Sequence, residues 1–237
     1  MKLVIAETGV PPKDLGGAWP SYPDMFQAMF ASVGAGFSYD VADVLNGADL
    51  PGPDGGDALL VTGSPAGVYE GHGFIEPLEA GVRDWAAAGK PIVGICFGHQ
   101  LIAQAFGGRV EKSERGWGVG VHTYEVVGEA PWGEGPSRFA CVVSHQDQVV
   151  SLPQGFRRVA GSAFTPHGCL THEELPILTF QPHPEFDHPF ASALMELRSD
   201  RIPEERISLG KASLANESDR SLMGLWIKNF IESRAQV

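Results

Sequence analysis

A short apolar run enclosed between two segments of helical spacing constrains the fold of this chain most strongly. Pro91–Ile95 contains no charged side chain. The residues before it place one apolar stripe on a helix that Gly89 closes: Ile75, Leu78, Val82 and Trp85. The residues after it return to helical spacing: Leu101, Ile102, Ala105 and Phe106. A buried strand with helices on both sides is typical of a largely parallel sheet covered on both faces.

Other segments extend this α/β pattern. Strands are predicted at Leu3–Ile5, Val41–Leu45, Asp57–Val61 and Ile177–Phe180, and helices at Met25–Val33, at Phe190–Arg201 and from about Ser218. Short β-like pieces between Gly/Pro turns from Val110 to Ile177 predict a small antiparallel extension. We find no repeat or linker, so we expect a single domain over residues 1–237, with three layers around a mostly parallel central sheet.

The charge balance argues against several partners. Asp and Glu number 29 against 17 Lys and Arg, a formal charge of −12, and we see no basic patch. Because such a surface repels phosphate backbones, we expect no nucleic acid partner. The G-x-G-x-x-G fingerprint and the G-x-x-x-x-G-K-[ST] loop are both absent, so we expect no nucleotide cofactor.

Location follows from the apolar segments and the cysteines. The N-terminal run reaches Glu7 too soon for a secretory signal. Pro91–Gly108 lacks Asp, Glu, Lys and Arg but holds four glycines, and this composition favours strand, turn and helix over a membrane span. The three cysteines form no C-x-x-C pair, and the histidines have no partners at ligand spacing. We expect a cytoplasmic protein with no membrane contact and no metal.

Cys96 lies at the junction between the predicted strand and the following helix, with Gly94 and Gly98 two residues away on either side. A nucleophile on such a sharp turn strains its own backbone and needs neighbours without side chains, so that strand and helix can approach. A helix N-terminus favours the thiolate, and the amide of Phe97 points where an oxyanion would form. An isolated cysteine is more often structural, but the paired glycines favour a nucleophile.

A base and an acid follow in the segment Gln181–Phe186. Pro184 biases His183 toward extended geometry, and residues two apart on an extended chain point to the same side. His183 and Glu185 can therefore form a relay just beyond the predicted strand Ile177–Phe180. By itself the segment is more typical of a surface loop with a solvated His and Glu, and the presence of Cys96 in its glycine-flanked turn favours a catalytic site instead.

The segments Gly94-Ile95-Cys96-Phe97-Gly98-His99-Gln100 and Gln181-Pro182-His183-Pro184-Glu185-Phe186 resemble the class I (triad) glutamine amidotransferases. The likeness is greatest to their stand-alone, guanylate-synthetase-amidotransferase-like branch, and it extends from about Leu59 to Phe186. It implies a flavodoxin-like fold and hydrolysis of the glutamine side-chain amide through a γ-glutamyl thioester. The resemblance makes Cys96 the nucleophile, His183 the general base and acid, and Glu185 the residue that orients it.

The same resemblance implies a set of binding residues. Gly63, in the loop Thr62–Pro65, corresponds to a second oxyanion donor beside Phe97, although many relatives have Gly-Gly-Pro there. Gln100 corresponds to the residue that holds the amino-acid end of glutamine. The candidates for the substrate carboxylate and amine are Ser144, His145 and Gln146. Gln146 stands where many relatives have glycine, which indicates that the accepted γ-glutamyl compound differs from free glutamine.

Three functions remain open at this point. The first is an amidotransferase subunit that passes ammonia to a synthase on another polypeptide. The second is a γ-glutamyl hydrolase that cleaves glutathione-like compounds without a partner, and the third is a binding module that keeps the fold but not the activity. The intact set Cys96, His183 and Glu185 weighs against the third. The order nucleophile, histidine, acid also differs from that of an α/β-hydrolase.

Overall fold

The computed structural model describes residues 1–15 and 17–235 of the chain. Its strands are Lys2–Ala6 (β1), Ser38–Ala42 (β2), Ala58–Val61 (β3), Ile92–Ile95 (β4), Arg109–Lys112 (β5), Gly118–Val126 (β6), Arg138–His145 (β7), Asp147–Ser151 (β8), Phe156–Gly161 (β9), Cys169–His172 (β10) and Ile177–Phe180 (β11). Its α-helices are Tyr22–Ser32 (α1), Ile75–Ala87 (α2), Phe97–Ala105 (α3), His188–Leu197 (α4), Glu204–Ser213 (α5) and Arg220–Arg234 (α6). Gly16, Gln236 and Val237, which the predicted domain also includes, lie outside the described residues.

One nine-stranded sheet runs through the described residues in the order β2-β1-β3-β4-β11-β10-β9-β6-β7. The block from β2 to β11 is parallel throughout. From β11 onward each neighbouring pair is antiparallel, and β5 and β8 form a separate antiparallel ribbon. The predicted α/β architecture is confirmed, with an antiparallel part that adds four strands to the main sheet.

Side chains of the parallel strands alternate between two hydrophobic cores. Leu3 and Ile5 pack with α1 and α6, whereas Val4 and Ala6 pack with α2 and α3. Successive residues of a strand point to opposite faces, so the two cores lie on opposite sides of one sheet. The helices therefore cover both faces, which gives the three layers.

The structure departs from the predicted elements, for example at α5, at β10 and at the end of β2, and the helix predicted at Phe190–Arg201 spans His188–Leu197. Helix α5 was not predicted because its one buried residue is Gly210, which leaves no apolar stripe. Strand β10 was not predicted as a separate strand, because it is only four residues long and its sequence has a weak apolar pattern. The strand predicted at Val41–Leu45 ends at Ala42, because the Asp43 side chain accepts a hydrogen bond from the Asn46 amide and caps a 3-10 turn there.

The register of the parallel strands brings their carboxyl ends to one edge of the sheet. Ala6 pairs with Val61, Val61 with Gly94, and Ile95 with Phe180. The residues that follow these strands therefore lie side by side, at the edge where open α/β sheets bind their ligands.

None of the helices in the described part of the chain combines the length and apolar character that a bilayer crossing requires.

Two glycines permit the close approach of β3, β4 and α3. A Cβ on Gly98 would overlap the carbonyl oxygen of Val61, and a Cβ on Gly94 would lie 2.6 Å from the carbonyl oxygen of Gly98. Both positions face backbone atoms, which cannot move aside as a flexible side chain can.

We expect Gly98→Ala to lower the free energy of unfolding by about 1–3 kcal/mol or more, because the new methyl group forces α3 away from β3. Urea denaturation followed by circular dichroism measures this change. Gly36→Ala is the matched control, since nothing lies within 4 Å of the Cβ that it adds. Equal stability of the two variants would contradict the close packing of α3 on β3.

Candidate active site

Cys96 occupies the turn between β4 and α3 in a strained backbone conformation. Its φ of 52° and ψ of −99° make it the one non-glycine residue with positive φ in the described part of the chain. Its amide donates to the Phe180 carbonyl at 2.8 Å, and its carbonyl accepts from the Gln100 amide at 3.0 Å. Such strain persists only where the surrounding structure holds it, and it is frequent at functional sites.

His183 and Glu185 form a buried ion pair beyond the end of β11. The His183 Nδ1 lies 2.7 Å from a Glu185 carboxylate oxygen, and their side chains are 5% and 0% exposed. The His183 amide donates to the Val142 carbonyl on β7 at 2.8 Å. The ring of Phe186 stacks on the imidazole, with centroids 4.0 Å apart. The imidazole is therefore fixed in position and its Nδ1 is occupied, which leaves Nε2 free to act.

Charge favours the protonated imidazole. Burial lowers the pKa of His183, but the Glu185 carboxylate and the Cys96 side chain together raise it above its ordinary value, to about 10. His183 is thus an imidazolium at neutral pH, the partner that stabilises a thiolate.

Gly63 is part of the same small space. A Cβ on Gly63 would lie 2.8 Å from His183 Cε1 and 3.8 Å from the Cβ of Cys96. The three residues come from loops after β3, β4 and β11, which are neighbours in the sheet. Phe97, the other predicted oxyanion donor, begins α3, so its amide has no partner within the helix.

Thr8, which sequence analysis did not identify, fixes the loop that carries Gly63. Its hydroxyl lies 3.0 Å from the carbonyl oxygen of Thr62, which also accepts from the Gly98 amide at 3.2 Å. The C=O and N–H of one trans peptide point in opposite directions. The anchored Thr62 carbonyl therefore directs the Gly63 amide away from Thr8.

Thr62 stands where the resemblance implies Gly-Gly-Pro, and its side chain makes a specific contact in the structure. The Thr62 hydroxyl accepts a hydrogen bond from the Thr8 amide at 3.0 Å. The two hydroxyl groups lie 3.1 Å apart, and both residues are fully buried. The pair ties the loop after β3 to the loop after β1.

Two glutamines connect Cys96 to β8. The Gln181 amide nitrogen lies 3.5 Å from the Cys96 sulfur, and its amide oxygen accepts from Gln100 Nε2 at 3.2 Å. The same Nε2 donates to the Asp147 carbonyl at 2.9 Å. The amide nitrogen of Gln100 is thus occupied by protein groups. Gln181 was not singled out from the sequence, since only the long-range pairing shows its contact with the thiol.

A cavity of about 640 Å³ opens above Cys96. Its lining includes all the predicted binding residues: Gln100, Ser144, His145 and Gln146. His145 is 4% exposed, and burial lowers its pKa to about 3, so the ring is neutral. The Ser144 hydroxyl accepts a hydrogen bond from Arg198, which also lines the cavity.

Across the described residues, no group of three or more His, Cys, Asp or Glu has the geometry to hold a metal ion.

The comparisons with known proteins agree with this architecture. The profile of the family "Glutamine amidotransferase class-I" matches residues 28–196. The chain therefore belongs to the class I glutamine amidotransferases, a family of enzymes.

Among its relatives, a glutamine-hydrolysing GMP synthase of Thermosipho melanesiensis is 32% identical over 174 residues, which are 71% of this chain and 32% of the synthase. One subunit of the glutamine-hydrolysing GMP synthase of Pyrococcus abyssi is 41% identical over 131 residues, covering 55% of this chain and 66% of that relative. The chain thus spans about a third of the full-length synthase that it matches. A glutamine amidotransferase of Thermotoga maritima shares the fold, with a TM-score of 0.75, 18% identity and coverage of 100% and 98% of the two chains.

We expect Glu185→Gln to shift the reactivity of Cys96 toward alkaline pH. Without the carboxylate, the pKa of His183 loses the largest influence that raises it, so a smaller fraction of the imidazole is protonated at pH 7 and the thiolate is less stabilised. The rate of alkylation by iodoacetamide at pH 7 should fall about 10-fold or more, and recover as the pH rises. Mass spectrometry of the Cys96 peptide across pH 5–10 measures this profile.

The matched control for this change is Glu196→Gln, which removes an exposed carboxylate paired with Lys211. Its alkylation profile should coincide with that of the unmodified chain. An unshifted profile in Glu185→Gln would mean that the ion pair does not govern the thiol.

Proposed function

We propose that the chain hydrolyses the γ-amide of glutamine to glutamate and ammonia, with Cys96, His183 and Glu185 as catalytic triad. The observation that carries this proposal is a thiol on a strained turn beside a buried imidazolium that a carboxylate orients. Membership in the amidotransferase family supports the choice of a glutamine-type amide as the substrate.

In the proposed mechanism the Cys96 thiolate attacks the γ-carbonyl carbon, and the carbonyl oxygen becomes an oxyanion. The amides of Gly63 and Phe97 donate hydrogen bonds to that oxygen. The His183 imidazolium gives its proton to the amide nitrogen, the C–N bond breaks, and ammonia leaves a γ-glutamyl thioester.

The second half of the reaction uses the same groups in reverse order. Neutral His183 takes a proton from water, the resulting hydroxide attacks the thioester carbonyl, and the C–S bond breaks. Glutamate is released, and the thiolate–imidazolium pair is regenerated. Glu185 holds the imidazole in one orientation and stabilises its charge through both steps.

The fate of the ammonia is the second part of the proposal. The Pyrococcus abyssi relative is named as one subunit of a glutamine-hydrolysing GMP synthase, not as the whole synthase. We propose by this likeness that a synthase on another polypeptide receives the ammonia from this chain.

The size of the cavity favours a second candidate, hydrolysis of larger γ-glutamyl compounds. A volume of about 640 Å³ is in the range that holds a drug-sized ligand, and Gln146 forms part of its wall. A γ-glutamyl peptidase would act without a partner, whereas an ammonia-passing subunit would be slow alone.

Cys96→Ala should abolish release of glutamate, with a loss of at least about 10³-fold, because no other group can form the thioester. The assay incubates the purified chain with glutamine, with glutathione and with a set of γ-glutamyl amides, and quantifies glutamate and ammonia. Cys141→Ala is the control, since Cys141 is a fully buried thiol within the core. Full turnover in Cys96→Ala would refute the mechanism. Turnover of glutathione but not of glutamine would favour the peptidase.

Thr8→Val should lower kcat about 10-fold with little change in KM. The substitution keeps the shape of the side chain but removes the hydroxyl that anchors the Thr62 carbonyl, so the Gly63 amide loses its fixed direction. Steady-state kinetics with the preferred substrate measure the effect. Thr8→Ser retains the hydroxyl and should restore most of the rate. If Thr8→Ser were as slow as Thr8→Val, the anchoring role would be wrong.

A further inference from the structure

Arg198 is a buried cation that lines the cavity above Cys96. It directly follows α4, and its residue surface is 9% exposed. Among the described residues, none of the ion pairs within 4.0 Å includes Arg198. A guanidinium remains charged at any pH a protein tolerates, and burying it without an anion is costly. This cost points to an anion that the protein itself does not supply.

The guanidinium is held in a fixed orientation. Its Nη1 donates to the Ser144 hydroxyl at 2.7 Å, and the central guanidinium carbon, Cζ, lies 5.7 Å from the centroid of the Trp117 ring. Ser144 is the one side chain in the described residues that accepts a hydrogen bond from it. A guanidinium has five N–H donors in a planar fork, so donors remain for a bidentate ligand.

The charges around Arg198 do not neutralise it. Arg201 and Arg206 line the same cavity and add positive charge. The carboxylates in the lining belong to Glu70, Glu114 and Asp147, and none of them pairs with Arg198. Burial, the largest effect, lowers the pKa of Arg198, whereas Tyr22 and Cys96 raise it. Arg198 therefore lies within electrostatic reach of Cys96 but lacks a carboxylate of its own.

The position of Arg198 indicates which part of a substrate would meet it. Ser144 lies near the end of β7, beside His145 and Gln146, and all three line the same cavity as Cys96 and Arg198. A γ-glutamyl group attached to Cys96 carries a free α-carboxylate at its far end. Arg198 lies beyond residues 28–196, the part of the chain that the family profile matches.

We propose that Arg198 binds the α-carboxylate of the γ-glutamyl substrate and that Ser144 positions the guanidinium for this contact. The inference rests on the proposed hydrolysis of a γ-glutamyl amide at Cys96. It makes Arg198 a specificity residue: compounds without the α-carboxylate leave the guanidinium unpaired and bind poorly.

The test compares L-glutamine with L-glutamine α-amide, in which a neutral group replaces the α-carboxylate. We expect Arg198→Gln to lower kcat/KM for glutamine about 10- to 100-fold and to change that for the α-amide by less than about 3-fold. Arg198→Lys keeps the positive charge but not the planar fork of donors, so its kcat/KM for glutamine should lie between the values of the unmodified chain and of Arg198→Gln. Arg109→Gln, an exposed arginine outside the cavity lining, is the control and should leave both values unchanged.

A purely structural role for Arg198 would lower both values equally, and that result would overturn the inference. If the unmodified chain alone hydrolyses neither compound, that result bears on the proposed function and its need for a synthase, and a binding assay still tests Arg198. L-Glutamate and 4-aminobutyrate differ by the α-carboxylate alone, and each is measured for protection of Cys96 against iodoacetamide. Glutamate should protect better, and Arg198→Gln should remove that advantage. Equal protection by the two compounds in the unmodified chain would also overturn the inference.

Discussion

The close contact between the backbones of β3, β4 and α3 is the constraint on which the site depends. Gly94 and Gly98 let α3 start directly at the end of β4, and this start forces Cys96 into its positive φ. The strained conformation is maintained by the hydrogen bonds of Cys96 to Phe180 and Gln100. Because β3 and β11 flank β4, the loops that carry Gly63 and His183 then lie on either side of the thiol.

Local patterns predicted much of this from the sequence. The glycines around Cys96 and the proline after His183 restrict the backbone within a few residues, so their consequences can be derived without knowledge of the fold. The alternation of strands and helices similarly predicted the parallel part of the sheet. Helix α5 was not predicted because it has little apolar surface to bury. Its position is set by packing against β6 and α4.

The contacts that sequence analysis missed are those made across the sheet. Thr8 and Thr62 are adjacent because β1 pairs with β3, and Gln181 reaches Cys96 because β11 pairs with β4. Arg198 meets Ser144 from a segment 54 positions further along the chain. A threonine, a glutamine or an arginine at such positions carries no distinctive local signal, since each residue type is common on protein surfaces.

The hydrogen bond from the His183 amide to Val142 has a consequence for how the chain acquires its reactivity. Val142 lies on β7, the last strand of the antiparallel part, whereas Cys96 follows a strand of the parallel part. The imidazole therefore reaches the sulfur only when both parts of the sheet have formed and joined. Pairings between such distant segments form slowly during folding. In the proposed mechanism the thiol therefore gains its imidazolium partner only once the whole sheet is in place, and incomplete forms of the chain lack this partner.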